Sequence, residues 1–226
     1  MRVEHNPTYI LHIRPFKDSS AIIDCFSQDF GLISLVAKGA KRPRSHWRGF
    51  LQPFVALKMS WLGRSELKTL TDIEAETIYP KLVGEKILIG LYLNELLIRL
   101  LHRCDAHPAL FDFYDKTIGA LALADSITQQ MLLRQFELTL LSELGYGLDL
   151  RHIMPDLLYA YDSSTGIYEN AQPNGISGAT IIALRENQVM TENQLREAKK
   201  LMRIVLNYYL GNKPLQSRKL FQVAYE

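Results

Sequence analysis

The chain has 226 residues, 47% of them hydrophobic, and carries 26 Lys and Arg against 24 Asp and Glu, a net charge of +2. That apolar fraction excludes a disordered chain, and the length allows one large domain or two. No run nears eighteen apolar residues, the first seven residues lack a secretory core, and Cys25 and Cys104 alone build no disulfide framework, so a reduced cytosolic protein is expected.

Residues 1 to about 78 read as all-β. Strand-like runs at Tyr9–Ile13 and Ala21–Phe26 flank the turn formers Lys17-Asp18-Ser19-Ser20, and Gln28-Asp29-Phe30-Gly31 precedes Leu32–Ala37. Val55, Leu57, Met59 and Trp61 alternate with Ala56, Lys58 and Ser60, and Leu67–Ile73 alternates again after a turn at Leu62-Gly63-Arg64-Ser65. Five short strands predict a small Greek-key barrel such as the OB-fold, with an SH3-like barrel fitting the strand count nearly as well.

After Tyr79-Pro80 the period becomes helical. Leu82–Leu101 is apolar almost all round, a second helix starts at Pro108 and runs to about Ala124, and a third is capped by Asp125 or Ser126 and closed by Gly145. Residues 146–178, rich in Gly, Pro, Ser, Asn and Tyr, read as an irregular or weakly β excursion. Thr191-Glu192-Asn193-Gln194 is a capping-box pattern opening a helix to Leu210. The expected class is α+β and multi-domain: a β-barrel over 1–78, then a mainly helical domain over 79–226.

Motifs for catalysis are missing: the chain has no phosphate loop, GxGxxG, HExxH or GxSxG. His102, Cys104, Asp105 and His107 cluster at a helix end, with a spacing that suits an ordinary terminus better than zinc. Asp72, Glu74 and Glu76 alternate on the fifth strand; a nuclease would need such carboxylates, but no His accompanies them in sequence and a solvated face is expected. No metal or cofactor is expected. Charge placement is more specific. Residues 38–48 hold Lys38, Lys41, Arg42, Arg44 and Arg48 without an acid, interleaved with Trp47, on the loop between the third and fourth strands. Cations neutralise phosphates and aromatic faces stack on unpaired bases, so this loop is the expected nucleic-acid contact, with Trp47 as stacker and Gly39 and Pro43 leaving the stretch free to follow a backbone. Arg14, Lys58 and Arg64 are candidate extensions. A second island, Arg196, Lys199, Lys200 and Arg203, falls on one face of the Thr191–Leu210 helix and suits more nucleic acid or an acidic peptide. The rival reading is a protein-interaction adaptor with an OB-like barrel and an incidental basic loop.

Seven segments in order resemble the RecO family of bacterial recombination mediators: Tyr9–Pro15, Val36–Lys41 with Arg44-Ser45, Leu51–Phe54, Lys68–Leu70, Leu91–Leu97, Leu144–Gly147 and Leu210–Arg218. The resemblance implies an N-terminal OB-fold, a helical C-terminal domain and a non-enzymatic role: binding single- and double-stranded DNA, annealing complementary strands, and helping load RecA. It further implies contacts with RecR and with the acidic C-terminal tail of single-stranded DNA-binding protein (SSB), in a cytoplasmic, nucleoid-associated setting. Many members carry a four-cysteine zinc site after the Leu-Gly-Tyr-Gly motif; Leu148–Met154 holds no cysteine here, as in the zinc-free, gammaproteobacterial type. For the tail, the resemblance points to Arg134 and Leu138; with Leu141 they lie at i, i+4 and i+7 as a wall beside the cations of the later helix.

Overall fold

The computed structural model describes residues 1–77, 79–170, 172–211 and 213–223. The chain forms two compact units, Met1–Leu123 with Leu215–Glu226, and Ala124–Pro214. Strands do give way to helices near the expected 78/79 boundary, but packing draws the first two helices and the last one to the barrel. The strands explain why. β2 (Ser20–Ser27) and β3 (Gly31–Ala37) are buried almost end to end, as are Thr8 to Leu11 of β1 (Arg2–Phe16). Strands buried on both faces need an outer layer as well as an inner core.

With β4 (Ala56–Leu62) and β5 (Leu67–Thr77), the strands close a barrel in the order β1-β2-β3-β5-β4, β4 pairing back onto β1 and β3 running parallel to β5. This is the OB-fold arrangement, and the parallel pair separates it from an SH3-like barrel. Ile10, Ile23, Cys25, Leu35, Leu57, Met59, Trp61 and Ile73 fill the interior, and burial pushes the Cys25 thiol well up. β1 far exceeds the predicted Tyr9–Ile13 because irregularities between Val3 and Asn6 and between Ile10 and His12 shift its pairing. They let its first half pair with β4 and its second with β2, and they break the alternation a sequence reading relies on.

The outer layer is made by α1 (Glu85–Leu100) and α2 (Pro108–Leu123). Tyr9 and Phe26 meet Phe111 and Tyr114 of α2 with ring centroids 5.0 to 6.2 Å apart. The Tyr9 hydroxyl donates to Asp115 at 2.5 Å, and burial raises the Tyr9 and Tyr114 phenols far above their ordinary range. Asn94 on α1 donates to the Leu11 carbonyl at 3.0 Å and accepts from the Tyr114 hydroxyl at 2.5 Å, tying strand to both helices. The neighbouring Glu95 carboxylate accepts from the backbone N–H groups of Gln216 and Ser217, both at 2.8 Å, and from the Ser217 hydroxyl at 2.6 Å. It thereby caps α6 (Gln216–Val223), a short helix without a clear sequence signal, which packs on α1.

In the second unit, α3 (Ser126–Glu143) starts at Asp125, whose carboxylate accepts from the Thr128 N–H at 2.8 Å and is held below the usual carboxylate range by hydrogen bonding there. It ends as expected at Gly145 (φ 78°), with Gly145 N–H donating to Ser142 and Tyr146 N–H to Leu141. The 146–178 excursion holds a three-stranded sheet in which β6 (Leu158–Asp162) lies between β7 (Gly166–Glu169) and β8 (Ile176–Ser177). An unforeseen helix, α4 (Gly178–Arg185), follows, capped by Ser177. The predicted capping box of α5 (Glu192–Leu210) is present, and Leu195, Ala198, Leu201, Met202, Val205 and Leu206 form its buried face. Among the described residues no helix is long and apolar enough to cross a membrane.

Candidate nucleic-acid interface

The β3–β4 connection begins at Lys38. It is not the free stretch that Gly39 and Pro43 suggested. Successive turns fold it on itself: Arg42 N–H donates to Gly39, Ser45 N–H to Arg42, Arg48 N–H to Ser45 and Phe50 N–H to Trp47, at 3.0 to 3.2 Å. Lys41 N–H donates to the Ser19 carbonyl at 3.0 Å, fastening the loop to the β1–β2 turn. Trp47 is the main anchor. It is only 4% exposed, joins the barrel core, and its indole N–H donates to the Lys38 carbonyl at 3.0 Å. A ring held in this way cannot stack on a base, so the stacking role expected of Trp47 is corrected: its apolar area outweighed its place among cations. At the far end Phe54 lies against Gly90 of α1, where a Cβ would come within 2.6 Å of its ring.

With the aromatics turned inward, Lys38, Lys41, Arg42, Arg44 and Arg48 are all exposed. The structure adds two groups that sequence reasoning missed. Lys17 is exposed on the β1–β2 turn, its carbonyl accepting from Lys41 Nζ at 3.4 Å, although Asp18 shares that turn. His46 is exposed, its ring centroid 3.6 Å from that of Trp47. Arg14 pairs across from Ile22, which pairs with Val36, so it flanks the strand that ends at the loop. Lys58 and Arg64 are not gathered with them. Lys58 faces Glu76 at 3.1 Å, and Arg64 lies before Leu67, which pairs in parallel with Ser34 at the middle of β3, so Arg64 falls toward the start of β3 whereas the loop follows its end.

On α5, Arg196, Lys199, Lys200 and Arg203 are exposed together; Arg196 lies 3.5 Å from Glu192, and Lys200 donates to the Asn174 carbonyl at 2.5 Å. The wall expected on α3 is not a surface. Arg134 is 5% exposed and pairs at 3.0 Å with the fully buried Glu137, Leu141 is fully buried, and only Leu138 reaches partial exposure. The i, i+4, i+7 stripe that suggested a wall is the stripe α3 uses to pack in its own unit.

Asp72, Glu74 and Glu76 are exposed on β5, with Glu76 occupied by Lys58. His5, brought over by the β1 irregularity, joins Asp72 and Glu74 with ligand atoms within 4.8 Å of one another. Among the described residues this is the one grouping of metal-ligand types; His102, Cys104, Asp105 and His107 do not converge.

Comparison with known proteins identifies the family. Residues 1–79 match the family model described as Recombination protein O N terminal, and residues 83–153 match Recombination protein O C terminal. The chain is 41% identical to the DNA repair protein RecO of Dechloromonas aromatica and 39% identical to that of Aromatoleum aromaticum, in each case over 100% of this chain and 98% of the relative. It is also 41% identical to the DNA repair protein RecO of Nitrosococcus oceani, over 98% of this chain and 94% of the relative. With both family models matching within residues 1–153 and full-length relatives at about 40% identity, the chain belongs to the RecO family.

Proposed function

We propose that this RecO-family protein serves DNA repair and recombination without bond-making chemistry: it binds single- and double-stranded DNA, anneals complementary strands and helps load the recombinase RecA onto SSB-coated single strands. The observation that carries this reading is the outward array of five cations on a loop fastened to the barrel by Trp47. A fixed cationic surface lowers the repulsion between two phosphate backbones and releases their counterions, so annealing needs no catalytic residue. The contacts are to backbone rather than base edges, which suits binding without sequence preference.

The exposed face of α5 supports a second contact, with the acidic tail of SSB. Arg196, Lys199, Lys200 and Arg203 provide the charge; Arg134 and Leu141 are withdrawn from that site by their burial, which leaves Leu138 as its α3 member. RecR is the further partner this reading requires. The deciding experiment is annealing of labelled complementary oligonucleotides, bare, coated with SSB, or coated with tail-deleted SSB. Annealing that on coated strands depends on the tail supports the mediator role. Absence of annealing on bare strands favours the adaptor reading and overturns this one.

A further inference from the structure

The second unit carries an aromatic cleft that lies outside the cationic β3–β4 loop proposed for DNA. Its volume is about 610 Å³, and residues from the α3 terminus, the β6–β7 hairpin and the end of α5 line it. The local chemistry explains how it forms. The Gly145 turn closes α3 and directs the next residue, Tyr146, onto Tyr209 of α5, the two rings stacking with centroids 4.3 Å apart and planes 18° from parallel. Tyr146 remains 42% exposed. Tyr159 and Tyr161 lie on one face of β6, since alternate strand residues share a face, and their partners across the hairpin are Glu169 and Ile167. Burial and then the neighbouring Tyr209 push the Tyr161 phenol up to about 12, so floor and wall meet there.

Charge then selects the ligand. Among the residues that line the cleft, Asp149 and Glu169 are acids and none is Lys or Arg. Arg151 is spent on Asp149, donating from Nε at 2.9 Å and Nη2 at 2.7 Å. Glu169 is exposed on the tyrosine face and makes no ion pair among the described residues. Tyrosine faces would suit a nucleobase, but the phosphates attached to it would meet this excess of carboxylates. A cation fits both features, because the negative face of an aromatic ring and a nearby carboxylate attract the same group. A guanidinium adds planarity, so that it stacks on a phenol ring while donating to the carboxylate.

We propose that this cleft is a docking site for an arginine side chain from a segment of another protein, with the free face of Tyr146 as its stacking surface, Tyr209 backing that ring, and Glu169 as its anionic partner. The site is independent of the basic loop, so its failure leaves the DNA reading untouched. The probe is the blocked peptide Gly-Arg-Gly-Arg-Gly, titrated against the full chain by NMR of tyrosine-labelled protein, with the glutamate analogue of that peptide and a short oligothymidylate as comparisons. Expected are saturable shifts of the Tyr146, Tyr161 and Tyr209 resonances with the arginine peptide alone. Tyr146→Ala and Glu169→Gln should each weaken it about three- to five-fold, the worth of one exposed cation–π contact, while Tyr146→Phe, which keeps the ring face, should bind as the parent does. Glu169→Gln changes no packing and so tests the charge if Tyr146→Ala disturbs the α3 terminus. No saturable shift with the arginine peptide, equal response to the glutamate peptide, stronger response to the oligothymidylate, or indifference to Glu169→Gln would each overturn the proposal.

Discussion

Replacing Lys41, Arg42 and Arg44 together by alanine tests the loop most directly. All three are exposed, and the one hydrogen bond given up is the 3.4 Å contact from Lys41 Nζ to the Lys17 carbonyl, so the fold should be unaffected. Each phosphate contact to a single strand contributes about 0.7 to the slope of log affinity against log salt, so removing three lowers that slope by about 2. At about 0.1 M salt the counterion term alone then falls by roughly a hundred-fold. Fluorescence anisotropy of a labelled oligothymidylate across a salt series measures slope and affinity together. Lys58→Ala is the matched control, because Lys58 is engaged by Glu76 at 3.1 Å and lies away from the loop, and it should change the slope by less than one contact's worth. If the triple variant melts like the parent and keeps its slope, the loop is not where phosphates bind.

Three further outcomes follow from burial and backbone geometry. Trp47→Ala should cost about 3–5 kcal/mol in denaturant unfolding, as for other buried large aromatics, and in a Trp61→Phe background, which leaves Trp47 as the one tryptophan, DNA should leave it shielded from an added quencher to the same degree; strong extra shielding would return Trp47 to the binding surface. Gly31→Ala should lose more than about 2 kcal/mol, because φ is 62° and the added Cβ would fall 1.8 Å from the Asp105 carbonyl oxygen; a melting temperature equal to the parent's would show that the 102–105 segment is not docked on the β2–β3 turn. Tyr9 and Tyr114 have phenols raised by burial, so their contribution to stability is complete below the unfolded tyrosine range near about 10 and is lost as pH rises through the folded values. An alkaline titration of phenolate absorbance should therefore show these two ionising only as the protein unfolds, and reversible ionisation of every tyrosine in the folded state would contradict it.

The barrel was readable because β2 to β5 announce themselves by β-rich runs, alternation and turn residues, and α5 because its capping box and apolar stripe are both local. What escaped had non-local causes. The length of β1 depends on irregularities that alternation cannot register, and α6 is fixed by Glu95, more than a hundred positions away. At the candidate site, composition identified the cationic loop but not which members face water. Trp47 sits among cations and Arg134 on a seemingly outward stripe in the sequence, yet both are inside: one has a large apolar ring and a core to fill, the other has Glu137 one helical turn away. The tyrosine cleft was unreadable for a further reason. Tyr146, Tyr161 and Tyr209 are dispersed over more than sixty positions with no common period, and only the α3 terminus and the β6–β7 hairpin bring them together.

The inward position of Trp47 bears on how the loop can bind at all. Had Gly39 and Pro43 left residues 38–48 free, holding them on a DNA strand would cost roughly 1–2 kcal/mol of backbone entropy per residue, on the order of 10 kcal/mol or more for the stretch. That approaches the whole free energy of a nanomolar complex, about 12 kcal/mol, and would leave five phosphate contacts to offset their own ordering. Folding meets this cost instead. The turns from Gly39 to Phe50, the bond from Lys41 to Ser19 and the Trp47 anchor fix the backbone before any strand arrives, so only the long cationic side chains remain to be ordered. Those side chains can exchange one phosphate for the next without rebuilding the loop. The proposed annealing role would have this requirement, since such a surface must hold two strands long enough for pairing and then release the duplex.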